Sequence, residues 1–195
     1  MTHGMEERLS SLLRDHARDE LAALAVEAYG GELYGFLVHV VGEPVGAADV
    51  FAQMIEDLWR ELPGFRGDCS VRTWLYRLAH QASVRHRPPR NRAAPAASPA
   101  PPQLVAAAHT MTASWRSEVD DRWRELRREL SPEDRALLVL RVDRQLAWPD
   151  IAQVMRSERA ADAAGAVTHE ATRLRARFQR LKDQLRVRAR AAGLR

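Results

Sequence analysis

The chain has 195 residues, with 30 Lys or Arg against 26 Asp or Glu and one cysteine. That length suits one large or two small domains, each able to bury a core. The lone Cys69 excludes an intramolecular disulfide and a thiolate metal cluster, which suits a reducing compartment. No apolar run reaches the ~18 residues of a membrane span, and no signal-peptide pattern follows the polar stretch 1–7, so a cytoplasmic protein is expected.

The modest net charge of +4 hides a partition. Residues 1–60 carry 4 basic and 11 acidic side chains, 61–92 carry 7 and 2, 93–130 carry 5 of each, and 131–195 carry 14 and 8. An acidic front end is therefore followed by two separated basic patches. The basic ones suit a polyanion and the acidic one a basic partner, without saying which.

Residues 1–16 are polar with scattered Leu, and a flexible N-terminal extension is expected. His3 and His16 stand alone, whereas a metal site needs clustered donors. From Ala17 to Val41 the spacing is helical (Leu21, Leu24, Ala25, Ala28, Leu33, Phe36, Leu37, Val40), with a kink expected at Gly30-Gly31 and a stop at Gly42-Glu43-Pro44. Ala47 to Leu62 forms the next helix, its stripe made of Val50, Phe51, Met54, Ile55, Leu58 and Leu62. Asp49, Gln53, Glu56, Asp57 and Arg60 fall outside that stripe and Trp59 at its edge. A half-exposed Trp among carboxylates suits a protein-binding anchor, because Trp is enriched at interface hot spots; a core Trp fits equally well.

Phe65-Arg66-Gly67-Asp68-Cys69-Ser70 reads as a loop ending in a helix N-cap. Val71, Trp74, Leu75, Leu78, Ala79 and Ala82 then make one apolar stripe. Arg77, Gln81 and Arg85 lie one turn apart, with Arg72, Tyr76 and His80 beside them. Such a face can hold phosphates and stack on bases; the solvated face of an ordinary amphipathic helix fits the same residues. Six of the ten prolines fall between Pro88 and Pro102, marking residues 88–111 as a Pro/Ala-rich tether between domains.

Trp115 to Leu130 is predicted helical. Ser131-Pro132-Glu133-Asp134 opens another helix, with Ser as cap, Pro in the first turn and acids against the dipole. Trp148, Ile151, Ala152 and Met155 give a short helix. After a connection at 156–166, Val167, Ala171, Leu174, Phe178, Leu181 and Leu185 give a long one. Its outer face carries Thr168, His169, Thr172, Arg173, Arg175, Arg177 and Arg180. A short helix followed by a longer basic one outlines a helix-turn-helix whose second helix enters the major groove; a plain bundle with a basic exit helix remains open.

These blocks together resemble the extracytoplasmic-function group of bacterial sigma factors, over roughly Leu24 to Leu185. Asp49-Val50-Phe51-Ala52-Gln53, Leu58-Trp59-Arg60, Phe65-Arg66-Gly67-Asp68 and Thr73-Trp74-Leu75-Tyr76-Arg77-Leu78-Ala79 are similar to the signature of that family's second conserved region. Leu130-Ser131-Pro132-Glu133-Asp134-Arg135, Leu146-Ala147-Trp148-Pro149-Asp150-Ile151-Ala152 and Arg173-Leu174 through Arg180-Leu181 resemble the fourth. Gln81 stands where many members have Asn, the 156–166 connection is longer than usual, and Arg177-Phe178 replaces a common Ala-Arg pair.

The resemblance implies an all-α chain of two small domains: 17–87 like region 2, and 112–195 like region 4 with its helix-turn-helix. It implies a sigma factor that binds core RNA polymerase, at the β′ clamp helices and the β flap, and recognises promoter DNA. Asp49, Gln53, Glu56, Asp57 and Trp59 would bind the core. Arg66, Arg72, Tyr76, Arg77, His80, Gln81 and Arg85 would meet the minus-ten element, with Trp74 in the core and Tyr76 exposed. Thr168, His169, Thr172, Arg173, Arg175, Arg177 and Arg180 would meet the minus-thirty-five element. An anti-sigma partner is a further implication. No enzyme activity, cofactor, metal, membrane or small-molecule substrate is expected. A helix-turn-helix regulator acting without polymerase and a degenerate sigma-like interaction protein are the alternatives.

Overall fold

The computed structural model describes residues 2–86, 129–156 and 165–191. The tether at 88–111, most of the helix expected from Trp115 and most of the 156–166 connection lie outside the described residues. Every regular element among the described residues is helical. The chain divides into two compact units, Met1–Met111 and Thr112–Arg195.

In the first unit, α1 spans Thr2–Arg14, α2 Arg18–Val41, α3 Pro44–Glu61 and α4 Val71–Arg85, with a single 3₁₀ turn at Leu62–Gly64. The core is built by the stripes of α2, α3 and α4. Leu33, Phe36, Leu37, Met54, Leu58, Trp74, Leu75 and Leu78 are all essentially inaccessible, and each such side chain contributes about 1.5–3 kcal/mol on leaving water. α2 is long and apolar enough to cross a membrane by length and composition, but that apolarity faces protein, since α2 packs on α1, α3 and α4.

One expectation fails here. Residues 1–16 are not a loose extension: Thr2–Arg14 is helical and Leu9 is fully buried. The polar composition concealed this because one Leu and one Glu make the key contacts, too few for a stripe. At Gly30-Gly31, where a kink was expected, α2 continues as helix through both glycines. Two mid-helix glycines cost about 1 kcal/mol each, and burial of Tyr29, Leu33, Tyr34, Phe36 and Leu37 on the same helix offsets that.

In the second unit, α5 spans Pro132–Leu138 and widens into a π-type turn at Val139–Asp143; α6 spans Trp148–Met155 and α7 Ala166–Ala191. The Ser131 hydroxyl accepts from the Asp134 N–H at 3.1 Å, capping α5 as its sequence requires. Ala136, Leu137, Leu140, Ile151, Ala152 and Val154 form the centre, closed by Leu174, Phe178 and Leu181 of α7.

Candidate protein-docking and nucleic-acid interfaces

α3 turns Val50, Phe51, Met54 and Leu58 inward, which leaves Asp49, Gln53, Glu56 and Trp59 on its outer side. Trp59 is 49% exposed, one of the few large apolar side chains at the surface among the described residues. The Gln53 amide donates to Glu56 at 3.2 Å, tying two polar members of this face together. An accessible indole beside two carboxylates and an amide is suited to an apolar socket with a basic rim.

Asp57 does not belong to that face. Its side chain is only 1% exposed and is held between Arg60, at 2.7 Å, and Arg85 of α4. The carboxylate points toward α4 because position 57 lies three residues from Met54 and one from Leu58, at the border of the buried stripe. Desolvating an unpaired carboxylate there would be costly, and two guanidiniums meet the need. Asp57 therefore ties α3 to the end of α4.

The α4 face also departs from expectation. Tyr76 is completely buried, with its ring edge-to-face on Phe36 at 5.3 Å and the Arg72 guanidinium 5.5 Å over it. His80 is buried as well, at 8% exposure. Both were expected outside because the Val71–Ala82 stripe accounts for one partner surface, whereas α4 packs on both α2 and α3. A helix between two neighbours buries a wider arc than one stripe.

Arg72 is half-buried and donates to Glu32 of α2 at 2.7 and 3.3 Å. Burial works against its charge, but the bond to Glu32 and that carboxylate's charge overcome it and hold the pKa above the ordinary Arg value. Arg72 thus braces α4 rather than standing ready for DNA. Arg66 is exposed in the loop before α4; Arg77 and Gln81 are half-buried, and Arg85 is exposed although bound to Asp57. Trp74 is a core residue, as its spacing predicts, and it stacks on Phe65 with centroids 4.4 Å apart and planes 12° apart. That stack pins the Phe65–Ser70 loop onto α4. Within the loop, Gly67 has φ +77°, a left-handed conformation that a side chain resists.

Glu6 and Glu32 escaped the sequence reading. The Glu6 carboxylate accepts from the Val71 N–H at 3.3 Å and the Arg72 N–H at 3.1 Å, two of the amides that a helix start leaves unbonded. It also accepts the Tyr29 hydroxyl at 2.7 Å. No local signal reveals these ties, since they join residues 23 to 66 positions apart.

On α7, Thr168, His169, Thr172, Arg173, Arg175 and Arg180 are all exposed. Arg173 bonds Glu170 one turn back at 2.7 Å. Arg177 is the exception to the expected face: it is half-buried and donates to Asp134 at 2.7 Å and Glu133 at 2.8 Å. The first turn of α5 is thus locked to the middle of α7, and those acids serve as clamp as well as dipole partners. Arg175 lies 5.7 Å over the ring of Trp148, itself edge-to-face with Phe178 at 5.6 Å.

One helical unit bears an acidic face with an exposed aromatic, and the other ends in a long basic helix. Residues 25–92 match the family described as Sigma-70 region 2. The chain is similar to the RNA polymerase sigma-H factor of Pseudomonas aeruginosa, 28% identical over 142 residues that cover 68% of this chain and 74% of that protein. Both comparisons find similarity to sigma-70 factors, the first over residues 25–92 and the second over most of the chain.

Proposed function

We propose that the chain is a sigma factor of the extracytoplasmic-function group, acting in the cytoplasm, which binds core RNA polymerase and directs it to a subset of promoters. It performs no catalysis itself; it lends specificity and strand separation to the polymerase. The observation that carries this reading is the exposed Trp59 with Asp49, Gln53 and Glu56 on the outer side of α3, inside the segment that matches region 2. This surface docks on the β′ clamp helices.

Opened minus-ten DNA meets Arg66, Arg77, Gln81 and the exposed side of Arg85. Arg66 and Arg85 are exposed and Arg77 and Gln81 half-buried, so part of each side chain reaches the surface. Duplex minus-thirty-five DNA meets the exposed row of α7 from Thr168 to Arg180, and the second unit also meets the β flap. An anti-sigma factor would compete for the α3 face.

The test is core binding together with in vitro transcription. Trp59→Ala and Glu56→Arg should each weaken core binding about tenfold or more, as loss of a hot-spot anchor and reversal of an interface charge do. Neither should shift the melting temperature by more than a degree or two, because both positions are exposed. Wild-type core affinity in both variants would remove the docking surface, and with it the reading.

A further inference from the structure

We propose that Arg175 is the base-reading, specificity-determining residue of α7 and that Trp148 is its positioning residue. The indole lies beneath the guanidinium, which bonds no carboxylate among the described residues. This rests on the duplex-reading role given to α7 above.

The three arginines at alternate positions on α7 are held in three different ways. Arg173 is bonded to Glu170 and Arg177 to both Asp134 and Glu133. Their donors are engaged by carboxylates, and a base edge would have to displace these first. Arg175 bonds no carboxylate among the described residues; its guanidinium lies over the Trp148 ring instead. Attraction to a ring acts through the face of the cation, whereas recognition uses the N–H groups in its plane. A planar fork so held matches the O6 and N7 acceptors of guanine in the major groove.

The ring is itself fixed. Trp148 opens α6 and meets the buried Phe178, which lies on α7 one turn beyond Arg175. Arg141 also lies over the ring, at 5.0 Å, while donating to the Leu146 carbonyl at 2.8 Å. The platform beneath Arg175 therefore belongs to the body of the unit, and an otherwise floppy side chain is ordered before DNA arrives.

The experiment is duplex selection from a randomised library by holoenzyme reconstituted with the full chain, followed by affinities for the selected duplex. Arg175→Ala should weaken binding about five- to hundredfold and abolish the preference at one base pair, the range of a lost bidentate guanine contact. Trp148→Met, which keeps volume but not the ring, should weaken binding about three- to tenfold and relax the same base pair. Trp148→Tyr should retain that preference, and Trp148→Met with Arg175→Ala should be no weaker than Arg175→Ala alone.

Three results would overturn the proposal: a Trp148→Met protein with unaltered base preference, full additivity of the two substitutions, or uniform weakening by Arg175→Ala across all sequences, which marks a phosphate contact. If Thr172→Ala, Arg175→Ala and Arg180→Ala all leave selection unchanged, the duplex-reading role of α7 itself fails. An intact effect at Arg180 with none at Trp148 overturns the proposal while leaving the duplex-reading role of α7 standing.

Discussion

The Tyr29 hydroxyl shows how one buried proton becomes a property of the fold. Its ring is 4% exposed and its O–H donates to Glu6. Burial, then the bond to Glu6 and that carboxylate's charge, push its pKa far above the ordinary tyrosine range; burial pushes Tyr34 the same way. In the unfolded chain a tyrosine ionises near pH ~10. Below that pH neither state loses the proton and the stabilisation is fully present. Above it the unfolded state releases protons that the native state keeps, so stability falls as pH rises. Urea unfolding between pH 8 and 11 should show that decline, and Tyr29→Phe should make it shallower while leaving the Tyr34 contribution. An identical alkaline slope in the variant would count against the assignment. Residues at the border of a stripe behave in the same environment-driven way. Asp57 and Tyr76 each sit one position from a core residue, and their direction is decided by which neighbour covers that edge.

At the scale of elements, the unit built on α1 to α4 depends on a carboxylate from the first helix closing the start of the fourth. Ser70 caps α4 through the Thr73 N–H at 3.0 Å, and Glu6 accepts from the two preceding amides, Val71 and Arg72. The two groups together satisfy three N–H donors that the helix cannot satisfy itself. Glu6→Ala should cost about 1–2 kcal/mol, as loss of a charged cap does. The loss should appear first as faster hydrogen exchange at the Val71 and Arg72 amides, with Glu6→Gln recovering part of it. Unchanged protection there would mean that α1 contributes through Leu9 alone. The second unit uses the same device in reverse: acids at the start of α5 reach out to Arg177 in the middle of α7. Burial opposes the Arg177 charge, but the Asp134 and Glu133 bonds outweigh it and raise its pKa.

For the whole molecule, the proposed docking and DNA-facing surfaces fall on two units, Met1–Met111 and Thr112–Arg195, each with its own core. A segment of that length with a buried core can fold alone. Residues 1–111 expressed by themselves should therefore unfold cooperatively and bind core polymerase with the same sensitivity to Trp59→Ala as the full chain. Residues 112–195 should retain salt-dependent duplex affinity. A fragment that gains structure only when the other is added would show that the units are interdependent.

The helices α2 to α7, the stripes of α3 and α7, the caps at Ser70 and Ser131 and the core place of Trp74 were legible in the sequence. They depend on spacing within a few turns, and the physics of a helix is local. The outward placement of Asp49, Gln53 and Glu56 follows from the same periodicity, which left Trp59 at the edge of the stripe for the structure to decide. Tertiary structure alone decided that α1 is part of the core, that Tyr76 and His80 are interior, and that Asp57, Arg72 and Arg177 are engaged with partners 28 to 44 residues away. A one-dimensional pattern says which side of a helix is apolar. How many neighbours will press against that helix, and which distant charge they carry, is determined only when the chain closes on itself.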